Sequence, residues 1–174
     1  MSDIIKTKRL VLRRFKPGDA PALHAIFSDP DAMRYWSSLP HATLAESESF
    51  LARVIEAVAA GESDDFAVLH DGVVIGKAGL WRGNELGMLF DKRVWGTGMA
   101  AEAVEAVIAR ARSRGVKTIM ADVDPRNIRS MKFLERLGFV TTGAAKQTYK
   151  VGDVWTDSIY LELKLAEKGA AGEA

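Results

Sequence analysis

The stretch Trp95-Gly96-Thr97-Gly98-Met99-Ala100-Ala101 separates a predicted strand, residues 85–90, from a predicted helix, residues 100–114. Glycine lets the backbone turn tightly and approach a ligand closely. The helix that follows offers unpaired amides and the positive end of its dipole, which together can hold a phosphate group. The stretch therefore predicts either a phosphate cradle or a tight strand-to-helix turn that binds nothing.

The same glycines also match the dinucleotide pattern G-x-G-x-x-A, and Asp122 lies at about the distance of that pattern's ribose-binding acid. A doubly wound domain would need several more βα units, whereas only two predicted strands and one helix follow Asp122. The chain also contains no G-x-x-x-x-G-K-[ST] sequence. We therefore reject both the dinucleotide-binding domain and the P-loop.

Outward from the glycine stretch, apolar periodicity and turn residues predict mainly antiparallel strands first and one β-α-β-α-β segment near the middle. This order predicts a three-layer mixed α/β fold, with a mostly antiparallel sheet and helices on both faces. We expect a single domain over residues 1–165 and a flexible tail over 166–174. The predicted strands are 10–15, 66–69, 73–80, 85–90, 118–123, 139–150 and 154–163, and the predicted helices begin near residues 20, 44, 100 and 128.

Composition narrows the function further. The 174 residues are 48% hydrophobic and 27% charged, which is typical of a globular protein. There is no cysteine, which excludes thiol nucleophiles, disulfides and Cys-ligated metals, and the three histidines share no metal-site spacing. No apolar run approaches the roughly 20 residues of a membrane span, and the first residues lack the apolar stretch of a signal peptide. We expect a cytoplasmic protein without a metal or a membrane partner.

The net charge of +1 hides a strong asymmetry along the chain. Residues 17–90 carry four Lys/Arg against eleven acids, whereas residues 91–150 carry twelve Lys/Arg against six acids. A basic segment that contains the glycine stretch, and an acidic one before it, suggest a polyanionic ligand at one place and a cationic ligand at another. The basic residues are not clustered with aromatic ones, so nucleic-acid binding is not expected.

Two motifs in this order resemble the GNAT superfamily of N-acyltransferases. The first is Trp-Gly-Thr-Gly-Met-Ala after strand 85–90, which is similar to that family's acyl-CoA pyrophosphate loop. The second is the pair of segments at 124–130 (DPRNIRS) and 134–139 (LERLGF). The early segment 7–13 (TKRLVLR) and Trp95 are most similar to the RimJ/RimL-like branch, which acetylates N-terminal amines. The resemblance covers residues 6–165.

By this resemblance the co-substrate is acetyl-CoA, and several residues acquire roles toward it. Met88, Leu89 and Phe90 would run beside the pantetheine arm, and a backbone N–H there would polarise the thioester carbonyl. Asn127 would bond the pantetheine arm, although an Asn at this position also serves as a helix N-cap. The residues whose amides would hold the diphosphate are Gly96, Thr97, Gly98, Met99, Ala100 and Ala101.

The resemblance is weaker for the catalytic groups. Many family members carry a tyrosine seven residues after the asparagine, where this chain has Leu134, so Ser130 is the candidate proton donor. Asp122 and Glu85 are the candidate bases. Because the chain has no cysteine, an acyl-enzyme through sulfur is impossible, and direct attack by the amine in a ternary complex is expected.

The acceptor is predicted less directly. An α-amine of pKa about 8 is roughly 10% neutral at pH 7, whereas a lysine amine of pKa about 10.4 is neutral only at about 0.04%. This favours a protein N-terminal α-amine or a small amine, with Tyr35, Trp36 and Trp81 as candidate walls of its pocket. The alternatives are an aminoglycoside or polyamine acetyltransferase and a non-catalytic acyl-CoA sensor. A homodimer is compatible with the sequence.

Overall fold

The computed structural model describes residues 3–165, and the predicted tail over residues 166–174 lies outside them. Within this range eight strands form one mixed sheet in the order β1-β2-β3-β4-β5-β6-β8-β7. The strands are β1 (Ile4–Lys6), β2 (Leu10–Arg13), β3 (Ser63–His70), β4 (Val73–Trp81), β5 (Glu85–Phe90), β6 (Thr118–Val123), β7 (Val140–Val151) and β8 (Val154–Lys164). The α-helices of the described part of the chain are α1 (Ala20–Phe27), α2 (Leu44–Ala59), α3 (Met99–Ser113) and α4 (Ile128–Arg136).

The predicted three-layer mixed α/β architecture is confirmed. Two hydrophobic clusters lie on opposite faces of the sheet, and each contains residues of two helices. Ala103, Val104 and Leu134 bring α3 and α4 to one face. Leu23 and Leu51 bring α1 and α2 to the other. Alternation along the strands supplies both clusters, because successive side chains of a strand point to opposite faces.

Pairing in the sheet is antiparallel except between β5 and β6. The two parallel neighbours are joined through α3, as a crossover connection requires. Their register comprises a single pair, Glu85 with Met120, among the described residues. The two strands therefore diverge beyond this pair, and the sheet has a cleft where β5 runs toward the glycine stretch.

The predicted elements agree with the observed ones to within a residue or two at most boundaries. The main omissions are the three-residue edge strand β1 and the first residues of β3, which begins at Ser63 rather than at Phe66. No helix within residues 3–165 is long and apolar enough to cross a membrane.

Candidate acyl-CoA and acceptor site

The glycine stretch forms the turn between β5 and α3 that its sequence predicts. Gly96 has a φ of 75° and Gly98 a φ of 81°, both in the left-handed region that favours glycine. Gly98 is the N-cap residue of α3, and it has no side chain that could accept from the first amides of the helix. The positive end of α3 is therefore left open to a ligand.

Two of the six amides predicted to hold a diphosphate are engaged within the turn. The Thr97 amide donates to the Val94 carbonyl at 3.3 Å, and the Met99 amide donates to the Thr97 hydroxyl at 3.3 Å. The amides of Gly96, Gly98, Ala100 and Ala101 donate to no other residue within 3–165. Since a Cβ on Gly96 would meet no atom within 4 Å, the turn also has open space above it. Free amides facing open space at a helix N-terminus fit a diphosphate.

Trp95, at the start of the glycine stretch, supports the turn rather than facing a phosphate. Its indole Nε1 donates to the Phe90 carbonyl at 3.1 Å, which ties the turn to the end of β5. The guanidinium of Arg129 from α4 lies 4.7 Å from the centre of the Trp95 ring. Arg129 therefore places a positive charge beside the turn. It was not among the predicted site residues, because only the fold brings α4 next to the turn.

Arg9 and Glu102 hold the glycine stretch from the N-terminal side. Arg9 Nε donates to Glu102 Oε2 at 2.7 Å, and its Nη1 donates to the Thr97 carbonyl at 3.0 Å. The Thr7 hydroxyl donates to Glu102 Oε1 at 2.6 Å. The hydrogen bond from Thr7 and those from Arg9 lower the pKa of Glu102 to about 2, against an ordinary value of 4.5. Glu102 is thus a permanently charged anchor of the turn at neutral pH.

The predicted pantetheine strand lies at the cleft between β5 and β6. Met88 packs against the α3 and α4 side of the core, and Phe90 is buried in it. Leu89 is buried in the opposite cluster, beneath α1 and α2. Beyond Glu85 the edge of β5 faces no paired residue of β6. A backbone N–H on this edge can therefore reach a carbonyl group in the cleft.

Carboxylates line the part of the α1–α2 face of the sheet, over β5, β6 and β8, that these two helices leave uncovered. Cross-strand pairing aligns Trp81, Glu85, Met120 and Glu162 in one row on this face, because paired residues project to the same side. Asp122, which pairs with Tyr160, is two residues further along β6. Glu85 and Asp122 are exposed, and Trp81 is 41% exposed. The predicted candidate bases, together with Trp81, therefore share one open acidic surface.

The loop of residues 28–43 lies on the same side of the sheet, since Trp36 packs against the α1–α2 cluster, and it carries the other two predicted aromatic residues. Tyr35 lies 6.0 Å from the guanidinium of Arg126, which is paired with Asp124 at the end of β6. Trp36 is partly buried, with its ring edge-on to Phe27 at 6.3 Å. Trp36 thus packs against the α1–α2 cluster as well as facing the sheet.

Asn127 and Ser130 lie at the start of α4. The Asn127 side-chain oxygen accepts from the Ser130 amide at 3.1 Å, so Asn127 is the N-cap of α4. The Ser130 hydroxyl makes no hydrogen bond to any residue within 3–165, so its proton is available to a ligand. The structure thus supports the capping role of Asn127 and leaves the side-chain amide free for a second contact.

Tyr149 is a residue of this region that sequence reasoning missed. Burial raises its pKa, and the charges of Asp124 and Asp122 raise it further. The phenol is consequently protonated at neutral pH and can donate a proton or a hydrogen bond but cannot act as a base. Thr148, one residue earlier, is occupied structurally: its hydroxyl contacts the Ser158 hydroxyl at 2.7 Å and donates to the Thr156 carbonyl.

Comparison with known proteins agrees with this geometry. Residues 9–140 match the family described as the acetyltransferase (GNAT) domain. The uncharacterized N-acetyltransferase p20 of Bacillus licheniformis is 27% identical over 157 residues, which cover 85% of this chain and 88% of that protein.

Two solved structures share the fold. RimL, a ribosomal L7/L12 alpha-N-protein acetyltransferase in complex with coenzyme A, superposes with a TM-score of 0.83 at 18% identity, covering 93% of this chain and 98% of that one. The spermidine N-acetyltransferase from Vibrio cholerae, in complex with CoA and spermine, superposes with a TM-score of 0.79 at 18% identity, covering 92% and 98%. With the family match over residues 9–140 and named N-acetyltransferases among its relatives, this chain belongs to the GNAT family and is a GNAT-type N-acetyltransferase.

Proposed function

We propose that the protein transfers an acetyl group from acetyl-CoA directly to the α-amine of a protein N-terminus. The observation that carries this proposal is the open N-terminus of α3, held by Arg9 and Glu102 at the mouth of the cleft between β5 and β6. This arrangement brings an anion-binding turn to one end of a cleft and an open acidic face to its other side. An N-acetyltransferase needs both, one for the CoA diphosphate and one for a cationic amine.

On the CoA side, the chain supplies backbone amides and fixed positive charge. The free amides of Gly96, Gly98, Ala100 and Ala101 would hold the diphosphate, and Arg129 would add charge beside it. Acetyl-CoA supplies a thioester, whose carbonyl a backbone N–H on the free edge of β5 would polarise. Met88, Leu89 and Phe90 form that edge, and Asn127 would contact the pantetheine arm.

On the acceptor side, the amine must lose a proton before it attacks. Asp122 and Glu85 are exposed carboxylates that can accept that proton through a bridging water molecule. The amine nitrogen then forms a bond to the thioester carbon and loses one of its protons, the carbon–sulfur bond breaks, and the CoA thiolate takes up a proton, so that the proton lost by nitrogen replaces the one given to sulfur. Ser130 has a free hydroxyl at the start of α4 and is our candidate donor of that proton.

A polyamine is the second candidate acceptor, and the acidic face favours it. Glu85, Asp122 and Glu162 place three carboxylates on neighbouring strands of one face, which would attract a multiply charged amine. The spermidine N-acetyltransferase that shares the fold acts on such an amine. An aminoglycoside would meet the same charges. A non-catalytic acyl-CoA sensor would instead bind CoA without using this face.

Release of the CoA thiol tests these alternatives in one experiment. The protein is incubated with acetyl-CoA and, separately, with N-terminal peptides, spermidine, spermine and aminoglycosides, and free thiol is measured. We expect release with peptides that have a free α-amine and none with the same peptides after α-amine blocking. If thiol is released only with polyamines, the acceptor is a polyamine and not a protein N-terminus. If the protein binds CoA but releases no thiol with any amine, it is a non-catalytic acyl-CoA sensor.

A further inference from the structure

A buried ion pair lies on the α1–α2 face of the sheet, the face that also carries Glu85 and Asp122. Neither of its two residues has a role in the proposed acetyl transfer. Lys77 of β4 and Asp65 of β3 approach to 2.8 Å, and their side chains are 6% and 7% exposed. Lys77 is paired in register with Leu89 of β5, so its side chain is on the face covered by α1 and α2. The ammonium thus lies one strand away from the residues proposed to run beside the pantetheine.

The ammonium of Lys77 has more donors than the protein uses. A lysine carries three N–H donors, of which Asp65 accepts one. The ring of Trp36, 5.6 Å from Nζ, offers only its π face. No other hydrogen-bond partner of Nζ lies within residues 3–165. Buried donors normally find a partner, so the unused N–H groups indicate that a ligand or water supplies one.

Gly87 of β5 leaves the space beside these donors open. A Cβ built on Gly87 would have the Lys77 Nζ at 3.6 Å as the single atom within 4 Å. Gly79 of β4 differs, because a Cβ there would overlap the β3 backbone at Asp64 and Asp65 as well as Asp65 Oδ1. Gly79 therefore lets Asp65 reach Lys77. Gly87 leaves a small space beside the ammonium, on the face of the sheet that carries Glu85 and Asp122. This space adjoins the edge of β5 that faces the cleft.

We propose that Lys77 is a specificity-determining residue, whose free N–H donors bind an uncharged oxygen close to the acceptor amine, namely the first peptide carbonyl of an N-terminal substrate. This inference rests on the proposed N-terminal acetylation. Asp65 already balances the charge of Lys77, so a neutral carbonyl oxygen suits the remaining donors better than a carboxylate, which would lie near Asp65. A polyamine has no such oxygen and would bring another cation toward the ammonium.

A thermodynamic cycle between enzyme and substrate tests the contact. The enzymes are the wild type and the double variant Lys77→Met/Asp65→Asn, which removes both charges so that neither is left alone. The substrates are a peptide with a free α-amine and the same peptide with its first amide replaced by a trans-alkene. Differences in amine pKa and in the lost amide N–H affect both enzymes alike and cancel in the cycle. Lys164→Met, an exposed lysine at the end of β8, is the matched control.

We expect the wild type and Lys164→Met to prefer the amide by roughly 30-fold in kcat/KM, a factor typical of one hydrogen bond from a charged donor. In the double variant the ratio of kcat/KM for the amide peptide to that for the alkene peptide should fall about tenfold, mainly because KM for the amide peptide rises. Its affinity for CoA should not change. An equal preference in the double variant and the wild type would overturn the role of Lys77. If the wild type acetylates no peptide, the proposed function itself fails, and this is seen before any variant is measured.

Gly87→Ala provides a second variant that keeps the ion pair. Its methyl group would occupy the space beside Nζ without backbone strain, because Gly87 is not among the glycines with positive φ. We expect the preference for the amide peptide to fall in this variant as well. A Gly87→Ala enzyme that keeps the full preference would show that the carbonyl binds elsewhere, even if the double variant does not fold.

Discussion

Arg9 and Glu102 are 93 residues apart in sequence, and Arg9 binds Glu102 through both its backbone amide, at 2.7 Å, and its side-chain Nε, at 2.7 Å. The same guanidinium also donates to the Thr97 carbonyl of the glycine stretch. The segment before β2 thereby fixes both the turn and the first helical turn of α3. The shape of the proposed diphosphate site depends on a residue outside the glycine motif.

Replacing Arg9 should therefore weaken the binding of acetyl-CoA. In Arg9→Ala the Thr97 carbonyl and Glu102 Oε2 lose the guanidinium that donates to them, and we expect KM for acetyl-CoA to rise about tenfold, a loss comparable to one charge-assisted hydrogen bond. KM for the acceptor should stay unchanged. Steady-state kinetics with each substrate varied measures both constants. Lys8→Ala, at the exposed neighbouring position, is the control, and an equal effect of the two substitutions would contradict a specific role for Arg9.

Glu102 predicts how stability depends on pH. Its pKa in the folded protein, about 2, lies below its ordinary value of 4.5, so its contribution to stability is complete above about pH 4.5. This contribution is lost as the pH falls from 4.5 toward 2. The wild type should accordingly be more stable than Glu102→Gln at pH 6, and the difference should shrink below pH 4.5. Urea unfolding of both proteins between pH 2 and pH 6 measures this difference in the free energy of unfolding. A difference that does not change with pH would contradict a lowered pKa of Glu102 in the folded protein.

Asp64 should contribute strongly to stability at the end of the sheet away from the glycine stretch. Its carboxylate is 13% exposed and pairs with Arg14, Arg110 and Arg114 at distances of 2.7, 2.8 and 2.9 Å. Burial acts to raise its pKa, but hydrogen bonds from Arg110 and Arg14 outweigh it and hold the pKa below its ordinary value.

In Asp64→Asn the three guanidinium groups lose their common anion, and we expect a loss of about 3 kcal/mol in the free energy of unfolding. Denaturant unfolding measures this loss. Asp31→Asn, in which an exposed carboxylate is removed, should cost less than about 1 kcal/mol. Equal losses in the two variants would contradict a special role for the Asp64 cluster.

Ser130 can be tested as the proton donor without disturbing the helix cap. Its amide, not its hydroxyl, is the partner of Asn127, so Ser130→Ala should fold normally. If the hydroxyl protonates the thiolate, kcat at saturating substrates should fall about 100-fold with little change in either KM. Ser130→Thr, which retains a hydroxyl, should keep most of the activity. Unchanged turnover in Ser130→Ala would eliminate the hydroxyl as the acid and direct attention to Tyr149, whose phenol stays protonated.

Local chemistry explains which features the sequence could predict. The turn of Asp71 and Gly72 between β3 and β4 has positive φ at both residues, 48° and 79°, as an Asp-Gly hairpin requires. Gly96 and Gly98 are likewise predictable, because their backbone conformation is a property of glycine itself. The edge strand β1 was missed because three residues are too few to show an alternating pattern.

Features that depend on register or on packing between distant segments could not be predicted. The pairing of β3 with β4 shifts between Val68 and Leu69, which makes Ile75 an extra residue and decides the face on which Lys77 lies. The proximity of Arg129 to Trp95 and of Arg9 to Thr97 arises only when the helices pack on the sheet. Tyr149 reaches the carboxylates of β6 through the β7–β8 hairpin, whose strands are irregularly paired near it.

The most direct test of the central claim is a competition in which one acetyl-CoA supply meets several amines at once. An equimolar mixture of a free α-amine peptide, its α-blocked but lysine-containing counterpart, spermidine and an aminoglycoside is incubated with the enzyme and acetyl-CoA. Mass spectrometry with fragmentation then identifies the acetylated nitrogen. We expect the acetyl group on the α-amine of the free peptide ahead of every other amine. Acetylation of spermidine, the aminoglycoside or the lysine side chain, with the α-amine unmodified, would contradict N-terminal acetylation as the activity of this protein.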